Sequence, residues 1–268
     1  MTIGFAFPLH GQGDSILIGT EKLNSRREAG LVGPVRSVLT VEKREEDGSV
    51  RTLSTIVSTY ERNGAAIETL SHDADIEMHS QQIVAIDHSS IYFYNAIGQV
   101  EKVVHYDPDG SDRGRVEYRY DLQGRLIERK TYVGAKELFD IDLISYPAKL
   151  RSLEKRQSYD GGRVSPGYQW LSIFNEKGEL VEKLTLKPDG SPDSKIIYSY
   201  DPRGNVTKEA HYDEKNAYRR AHIFLYKFDD RGNWVERKDI VTLPDQKLKT
   251  DEKAWMMTYR VITYYGQR

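Results

Sequence analysis

Hydrophobic and polar residues alternate along most of this chain. In segments 115–120 and 195–200, apolar side chains occupy every second position up to a turn. After the turn, segments 125–130 and 234–238 are rich in residues that favour strands. An alternation of period two, rich in Val, Ile and Tyr, is typical of β-strands with one covered face. The pattern therefore predicts an all-β protein.

The turns between these segments share a motif: an aromatic residue, Asp or Asn, two variable residues, then glycine. The glycines are Gly98, Gly124, Gly178, Gly204 and Gly232, so successive copies lie 26, 54, 26 and 28 residues apart. An Asp or Asn at the first turn position can accept hydrogen bonds from turn amides, and glycine adopts the left-handed conformation at little cost. We interpret these five glycines as structural turn residues of β-hairpins.

One copy of the motif is missing near residue 150, because the interval of 54 residues is twice 27. Segment 146–155 resembles the motif, with Pro147 in place of the Asp and without the glycine. We interpret this segment as a degenerate copy of the motif.

A second set of turns, at 107–110, 160–162 and 187–190, joins one strand pair to the next. Their Asp, Pro and Gly residues are typical of turns. Two sets of turns on one period predict a long antiparallel meander of repeated β-hairpins with little helix. Because long sheets must curl or close to protect their edges, we expect one strongly twisted or rolled single sheet, open or partly closed.

The repeats define the domain organisation. Residues 34–268 form a single β-hairpin repeat domain, with the clearest repeats in 90–240, and residues 1–33 form an irregular N-terminal segment. Segment 72–90 also fits the alternation poorly, and 20–30 is a candidate for a short helix.

Charge and cysteine content exclude several function classes. The 268 residues carry a net charge of −2 and include no cysteine, which predicts no nucleic acid partner, no disulfide and no thiolate metal site. No apolar run reaches the roughly 18 residues of a membrane-spanning helix, and the first residues lack the basic start of a signal peptide. We therefore expect no membrane span and a cytoplasmic location; a secreted or cell-surface protein whose signal has been removed is the alternative.

Side chains capable of catalysis are present, but they form no recognisable motif. His72, His79 and His88 lack the ligand spacing of a metal site, and segment 107–118 departs from a calcium loop because Tyr118 stands where a glutamate is needed. Neither a phosphate-binding glycine loop nor a nucleophile elbow occurs. We predict a non-enzymatic protein without catalytic residues, metal or cofactor.

Glutamates also recur after the turn, at Glu128, Glu182 and Glu236. Two carboxylates can cleave a glycosidic bond only when they differ in environment and flank that bond. Recurrence in one repeat position instead indicates ladders of ion pairs with neighbouring Arg and Lys residues. We expect these ladders on a water-facing side of the sheet, with aromatic and aliphatic side chains on the other.

Aromatic residues recur beside the turns, and we name Tyr94, Tyr120, Tyr200 and Trp234 as candidate ligand- or partner-binding residues. Stacked aromatic faces on a sheet can bind a glycan or a protein. Recurrence in register is equally what the packing of a sheet core requires. Core packing therefore stands as the alternative for all four.

The segment 118–126 resembles the YD repeat of Rhs and teneurin-type proteins, whose signature runs Y-x-Y-D-x-x-G-R-L, and 198–205 matches it nearly as well. The resemblance covers roughly 90–240. The chain is also similar to small bacterial proteins with MORN-like β-hairpin repeats, some of which act as antitoxins or immunity proteins.

These resemblances imply binding. The leading expectation is a β-repeat protein-interaction module of the antitoxin or immunity type, with another protein as its partner. The alternative is a YD-repeat protein that binds carbohydrate or the cell envelope, with a surface glycan as its partner.

Overall fold

The structure is a computed structural model that describes residues 29–46, 49–76, 83–134, 137–160, 163–244 and 254–266. Within these ranges, no helix is long and apolar enough to cross a membrane. The strands are β1 (Val35–Glu46), β2 (Ser49–Tyr60), β3 (Ala66–Ile76), β4 (Ile83–Tyr94), β5 (Val100–Tyr106), β6 (Asp112–Tyr120), β7 (Leu126–Val133), β8 (Glu137–Ala148), β9 (Arg151–Asp160), β10 (Arg163–Phe174), β11 (Leu180–Leu186), β12 (Pro192–Tyr200), β13 (Val206–Asp213), β14 (Tyr218–Phe228), β15 (Trp234–Thr242) and β16 (Met256–Tyr264).

Each strand pairs antiparallel with the next along the chain, and β16 pairs antiparallel with β1, so the sheet is a closed barrel. The closing contact runs from Ser37 opposite Thr263 to Lys43 opposite Met257. The prediction of an all-β antiparallel meander is confirmed, whereas the prediction of an open or partly closed sheet is wrong. Closure gives partners to the backbone groups of the two outermost strands, which a rolled open sheet would leave exposed.

The repeated motif forms tight hairpin turns at one end of the barrel. In the turn between β6 and β7, the Asp121 amide donates to the Arg125 carbonyl and the Gly124 amide donates to the Asp121 carbonyl. The Asp121 carboxylate accepts further hydrogen bonds from the amides of Gln123 and Arg125, both at 2.9 Å. Gly124 has φ of 78°, in the left-handed region that glycine adopts most readily.

A hairpin without glycine stands where the degenerate copy was predicted. β8 ends at Ala148 and β9 begins at Arg151, so only two residues connect the strands. Leu150 takes the left-handed conformation there, with φ of 61°. The period is thus unbroken through this position, at the cost of a backbone conformation that side chains disfavour.

Two irregular segments predicted from the sequence have different outcomes. The expectation that 72–90 departs from the repeat is wrong, because β3 and β4 pair through it from Glu68 opposite Ile91 to Ile76 opposite Ile83. The proposed short helix at 20–30 lies outside the described residues except for its last two positions, which form a turn.

Alternate residues of each strand face the two sides of the barrel wall. In β8, Asp140, Asp142 and Ile144 are buried, while Phe139 and Leu143 are each 39% exposed. Curvature crowds side chains on the concave side of a barrel, so we assign the buried set to the interior and the exposed set to the outer face.

A buried apolar cluster lies beside the seam between β1 and β16. It contains Leu31, Val35, Val38, Tyr60, Ala66 and Tyr264. The side chain of Asn233, in the turn before β15, is fully buried and donates hydrogen bonds to the Val32 carbonyl and the Tyr264 hydroxyl. These contacts fix the chain entering β1 against the end of the barrel that carries the motif turns.

Candidate functional site

A groove of about 650 Å³ lies against strands β2, β3 and β4. Val57 pairs with Leu39 on one side and Leu70 on the other, and these positions alternate with the buried Val38, so they belong to the outer face. Val57, Leu70 and Ile91 give the groove an apolar floor. Leu70 is 47% exposed, which is high for a large apolar side chain in the middle of a strand.

The turn between β5 and β6 forms one wall of this groove through Tyr106, Asp107, Pro108 and Gly110. The turn is built like the motif turns, because the Asp107 amide donates to Ser111 and the Gly110 amide donates to Asp107. Pro108 fixes its backbone and adds an apolar surface that faces the floor.

The turn at 107–110, which we call the rim of the groove, is acidic: Asp107 lines the groove, and Asp109 belongs to the same turn but does not line the groove. The hydroxyl and the amide of Ser111 both donate to the Asp109 carboxylate, and these hydrogen bonds lower the pKa of Asp109. Asp109 therefore carries its full charge at neutral pH. Asp107, next to it on the wall, has a distant ionic partner in Arg113, at 3.8 Å. An apolar floor under an acidic rim suits an apolar side chain that is followed or preceded by a basic one.

A second, shallower groove of about 550 Å³ lies on the outer face of β5–β7 and is lined by ladder charges. Arg119 pairs with Glu128 at 3.2 Å, and Lys130 lies 3.3 Å from the same carboxylate. The hydrogen bond from Arg119 is the main cause that lowers the pKa of Glu128. Glu236 pairs in the same way with Lys227 at 2.8 Å, so these two recurring glutamates are ladder residues, as predicted.

The interior face holds a charged network that the sequence does not single out. Asp142 has no exposed surface and accepts hydrogen bonds from Arg129 and Arg156, both at 2.8 Å. Arg129 also donates to Glu154 at 2.8 Å. Arg156 also lies 3.7 Å from the Asp140 carboxylate, so two cations meet three carboxylates in this cluster.

The pKa values within this network move in opposite directions. Burial favours the neutral form of Asp142, but the hydrogen bond from Arg156 and the charge of Arg129 outweigh burial and lower its pKa. Burial raises the pKa of Glu154, and the charge of Arg129 only partly offsets that effect. Asp142 is thus the anion that the fold stabilises, while Glu154 is kept charged against its burial.

The three tyrosines proposed as binding residues have a structural contact in common. Their hydroxyls donate to backbone carbonyls one repeat earlier: Tyr94 to Ala66 at 2.7 Å, Tyr120 to Val100 at 2.8 Å and Tyr200 to Leu180 at 2.7 Å. Tyr146 and Tyr226 make the same bond to Leu126 and Val206. Each tyrosine thus ties one motif turn to the preceding one.

Trp234, the fourth proposed binding residue, is 4% exposed and contacts the Tyr226 ring at 5.9 Å. Its indole is therefore closed to a ligand outside the barrel. The geometry gives all four aromatic residues a packing role, and it does not bring them together in one surface. The proposed binding role for them stays a prediction.

The histidine segment forms no metal site in the part that the structure describes. His79 lies outside the described residues. No group of three or more His, Asp or Glu side chains is poised to hold a metal ion among the described ones. The ring of His105 instead shares a hydrogen bond with Ser90 at 2.8 Å, and burial lowers its pKa.

The apolar groove was missed by sequence reasoning because its parts are distant in sequence. Val57 and Leu70 each look like ordinary strand residues, and the turn at 107–110 looks like any other hairpin turn. The one available signal was that this turn contains two Asp residues around Pro108, while the equivalent turn at 187–190 begins with Lys187.

No protein-family model matches this chain, and no curated protein matches it. The YD-repeat resemblance therefore rests on the sequence motif alone. Several solved structures are similar to the chain at low sequence identity.

A porin-like protein from Bacteroides vulgatus is 11% identical, with 88% of this chain and 100% of that chain covered and a TM-score of 0.49. A porin-like protein from Bacteroides uniformis is 10% identical, with 86% and 98% covered and a TM-score of 0.43. A protein of unknown function from Bacteroides fragilis is 14% identical, with 50% and 94% covered and a TM-score of 0.24. Similarity this distant does not indicate what the present chain binds.

Proposed function

We propose that this chain is a non-enzymatic protein-interaction module, of the antitoxin or immunity type, and that its outer groove takes an extended segment of a partner protein. The observation that carries the proposal is the apolar floor of Val57, Leu70 and Ile91 beneath the acidic turn at 107–110. The segment that fits best has an apolar side chain for the floor and a Lys or Arg beside it for the rim.

The floor supplies most of the binding free energy. Burying an apolar side chain of the size of Leu contributes roughly 1.5–3 kcal/mol. Leu70 is 47% exposed, so a partner side chain that covers it removes apolar surface from water on both molecules. A volume of about 650 Å³ accommodates one or two such side chains but not a folded domain, which favours an extended segment.

The acidic rim supplies selectivity. Asp109 is exposed and held in its charged form by Ser111. An exposed charge contributes little free energy, but it repels acidic segments and speeds the approach of basic ones. Binding through this rim should therefore weaken as salt is added.

The test is a peptide array probed with the purified chain and with two variants. Leu70→Asp places a charge on the groove floor. Val261→Asp is the matched control, because Val261 is 63% exposed on a different strand and lies outside the groove. We expect the wild-type protein and the control to select peptides that pair an apolar residue with Lys or Arg, and Leu70→Asp to bind them at least tenfold more weakly.

Two results would contradict this proposal. One is an array on which no peptide class is selected over scrambled sequences. The other is an equal loss of binding in the groove variant and the control, which would place the contact elsewhere on the barrel.

Carbohydrate binding is the second candidate, and Trp255 favours it. Its indole is 43% exposed, while the guanidinium of Arg44 covers it at 4.4 Å and His222 packs edge-on at 6.0 Å. An exposed indole beside polar groups is a common platform for a sugar ring. A glycan array probed with the wild-type chain and with Trp255→Ala tests this candidate, and equal signals from both proteins would reject it.

A further inference from the structure

One position of the repeat carries an unusually small side chain where the groove lies. The position stands five residues before the aromatic residue of each motif turn and faces outward. In β6, β8, β10, β12 and β14 it holds a large residue: Arg115, Ile141, Gln169, Lys195 and Ile223. In β4 it holds Ser89, and in β2, which ends at Tyr60 in a turn of the same kind, it holds Thr55. Both of these small residues line the groove.

The large residues show what this position does elsewhere in the barrel. Arg115 pairs across the strands with Tyr132, and its guanidinium carbon lies 3.8 Å from the centre of that ring. Lys195 pairs with Tyr212 in the same way, and its ammonium nitrogen lies 5.0 Å from the ring centre. The face of an aromatic ring attracts a cation at such distances. Two copies of the repeat therefore cover a tyrosine with a cation of their own.

In the groove, the corresponding tyrosine has no such cover. Ser89 pairs with Tyr106 in the register that Arg115 has in the next hairpin. Tyr106 lines the groove, and in the part of the chain that the structure describes no Lys or Arg lies over its ring. A serine side chain is too short to cover a phenol ring. The groove is therefore open at the place where a guanidinium lies one repeat later.

The surroundings of the Tyr106 ring suit a cation from another molecule. Asp107 follows Tyr106 in the chain and also lines the groove, and its ion pair with Arg113 is long, at 3.8 Å. On the other side of Ser89, Leu70 lies in the same cross-strand row and offers apolar surface. A long basic side chain can lay its methylene groups on such a surface while its charged end meets the ring and the carboxylate.

We propose that the groove binds an arginine side chain of the partner segment, whose guanidinium stacks on Tyr106 as that of Arg115 stacks on Tyr132. Ser89 is then the residue that determines specificity, because its small side chain leaves room for the arginine. This inference rests on the function proposed above, and it assigns the basic residue of the segment to the Tyr106 ring as well as to the acidic turn. Arginine should bind more tightly than lysine, because a planar guanidinium stacks on a ring face.

The test uses an array of short peptides in a Gly–Ser background, each with one Leu and one Arg in every order and at several spacings. Each peptide is printed again with citrulline, which keeps the shape of arginine without its charge, and again with Lys. We expect the full chain to bind a subset of the arginine peptides. The citrulline versions should bind about tenfold more weakly, and the Lys versions should fall in between.

Variants of the full chain locate the contact. Tyr106→Phe keeps the ring and should bind the arginine peptides like the wild type, whereas Tyr106→Leu should bind about tenfold more weakly and lose the preference for arginine over citrulline. Ser89→Arg supplies the missing cation from the chain itself, so it should block arginine binding and still melt at the wild-type temperature. Ser199→Arg is the matched control: Ser199 is exposed on β12 outside the groove, and this variant should bind like the wild type.

The outcomes separate this inference from the function on which it rests. If no peptide binds, both are overturned. If citrulline peptides bind as well as arginine peptides, or if Tyr106→Leu keeps the preference for arginine, the groove binds a segment without this contact and the present inference alone is overturned. Wild-type binding by Ser89→Arg would overturn it too. Should Ser89→Arg prove unstable, the comparison of Tyr106→Phe with Tyr106→Leu decides the matter.

Discussion

Arg129 donates to the carboxylate of Asp142 at 2.8 Å, across neighbouring strands of the barrel wall, and Asp142 has no exposed surface. Arg156 approaches the same carboxylate from the opposite strand. One anion thus joins β7, β8 and β9 on the interior face. The strongest electrostatic contribution to the stability of this barrel should come from that carboxylate.

Replacing Asp142 should destabilise the protein strongly. Asp142→Asn leaves two arginines facing an amide that cannot compensate them, and we expect the free energy of unfolding to fall by about 2–3 kcal/mol, a value reduced because both arginines are about one-third exposed. Urea denaturation measures the change. The control is Glu176→Gln, because the Lys149–Glu176 pair is 79% exposed on both sides and its loss should cost within about 0.5 kcal/mol. Equal losses of unfolding free energy in the two variants would show that the buried network stabilises the protein no more than an exposed ion pair does.

The free energy of unfolding of the barrel should fall as the pH is lowered, because of Asp142. The pKa of Asp142 is lowered in the folded protein, so its contribution is fully present above the unfolded value of about 3.9 and is lost as the pH falls through the folded pKa. The contribution of Glu154 to stability changes with pH in the opposite direction, because burial raises its pKa. Unfolding measured from pH 6 to pH 2 should therefore show a shallower acid slope in Asp142→Asn than in wild type, and Glu154→Gln should not flatten it.

The repeated tyrosine contact can be tested at a single position. Tyr200→Phe removes the hydrogen bond to Leu180 and should lower the free energy of unfolding by about 1 kcal/mol. The chain itself contains the result of this change, because Phe174 stands at the equivalent position of another repeat. Tyr212→Phe is the control: its ring packs on Tyr218, and the change should stay within about 0.5 kcal/mol. If Tyr200→Phe lowers the free energy of unfolding no more than Tyr212→Phe does, the Tyr200 hydroxyl does not contribute to stability.

Two glycines with positive φ should respond very differently to alanine. Gly114 has φ of 151°, and a Cβ there would lie 2.4 Å from the Tyr132 carbonyl oxygen. Gly190 has φ of 84° and open space around it. We expect Gly114→Ala to cost about 3 kcal/mol or more, since strain and a backbone clash combine, and Gly190→Ala to cost about 1 kcal/mol. Thermal unfolding of both variants decides the order, and a reversal would mean that the backbone around Gly114 yields easily.

The elements of this fold are predictable because their causes are local. The alternation in 115–120 and the Asp121-to-Gly124 turn depend on neighbours within a few residues, and both appear in the structure as expected. The hairpin at Leu150 follows from the period alone. Closure is different: it depends on whether Leu39 meets Val261, a pairing of residues more than two hundred positions apart that no local pattern encodes.

The sites were harder to predict for a related reason. Arg129 and Arg237 occupy equivalent positions after their turns, and the sequence indicates ladder residues for both. In the structure, Arg129 finds Asp142 on the next strand, whereas Arg237 has Thr258 opposite it and Arg260 nearby. The same repeat position therefore has a carboxylate opposite it in one place and a hydroxyl in another, according to what the neighbouring strand carries.

The seam between β1 and β16 has a consequence for synthesis of the protein. β16 is the last of the described strands to leave the ribosome, so β1 and β15 each lack one of their neighbours until β16 has been made. During that interval a long meander presents two unpaired strands to other nascent chains, and joining distant segments is the slowest kind of folding step. A shortened chain that lacks β16 should therefore accumulate as aggregates in cells, even though fifteen of its strands are intact.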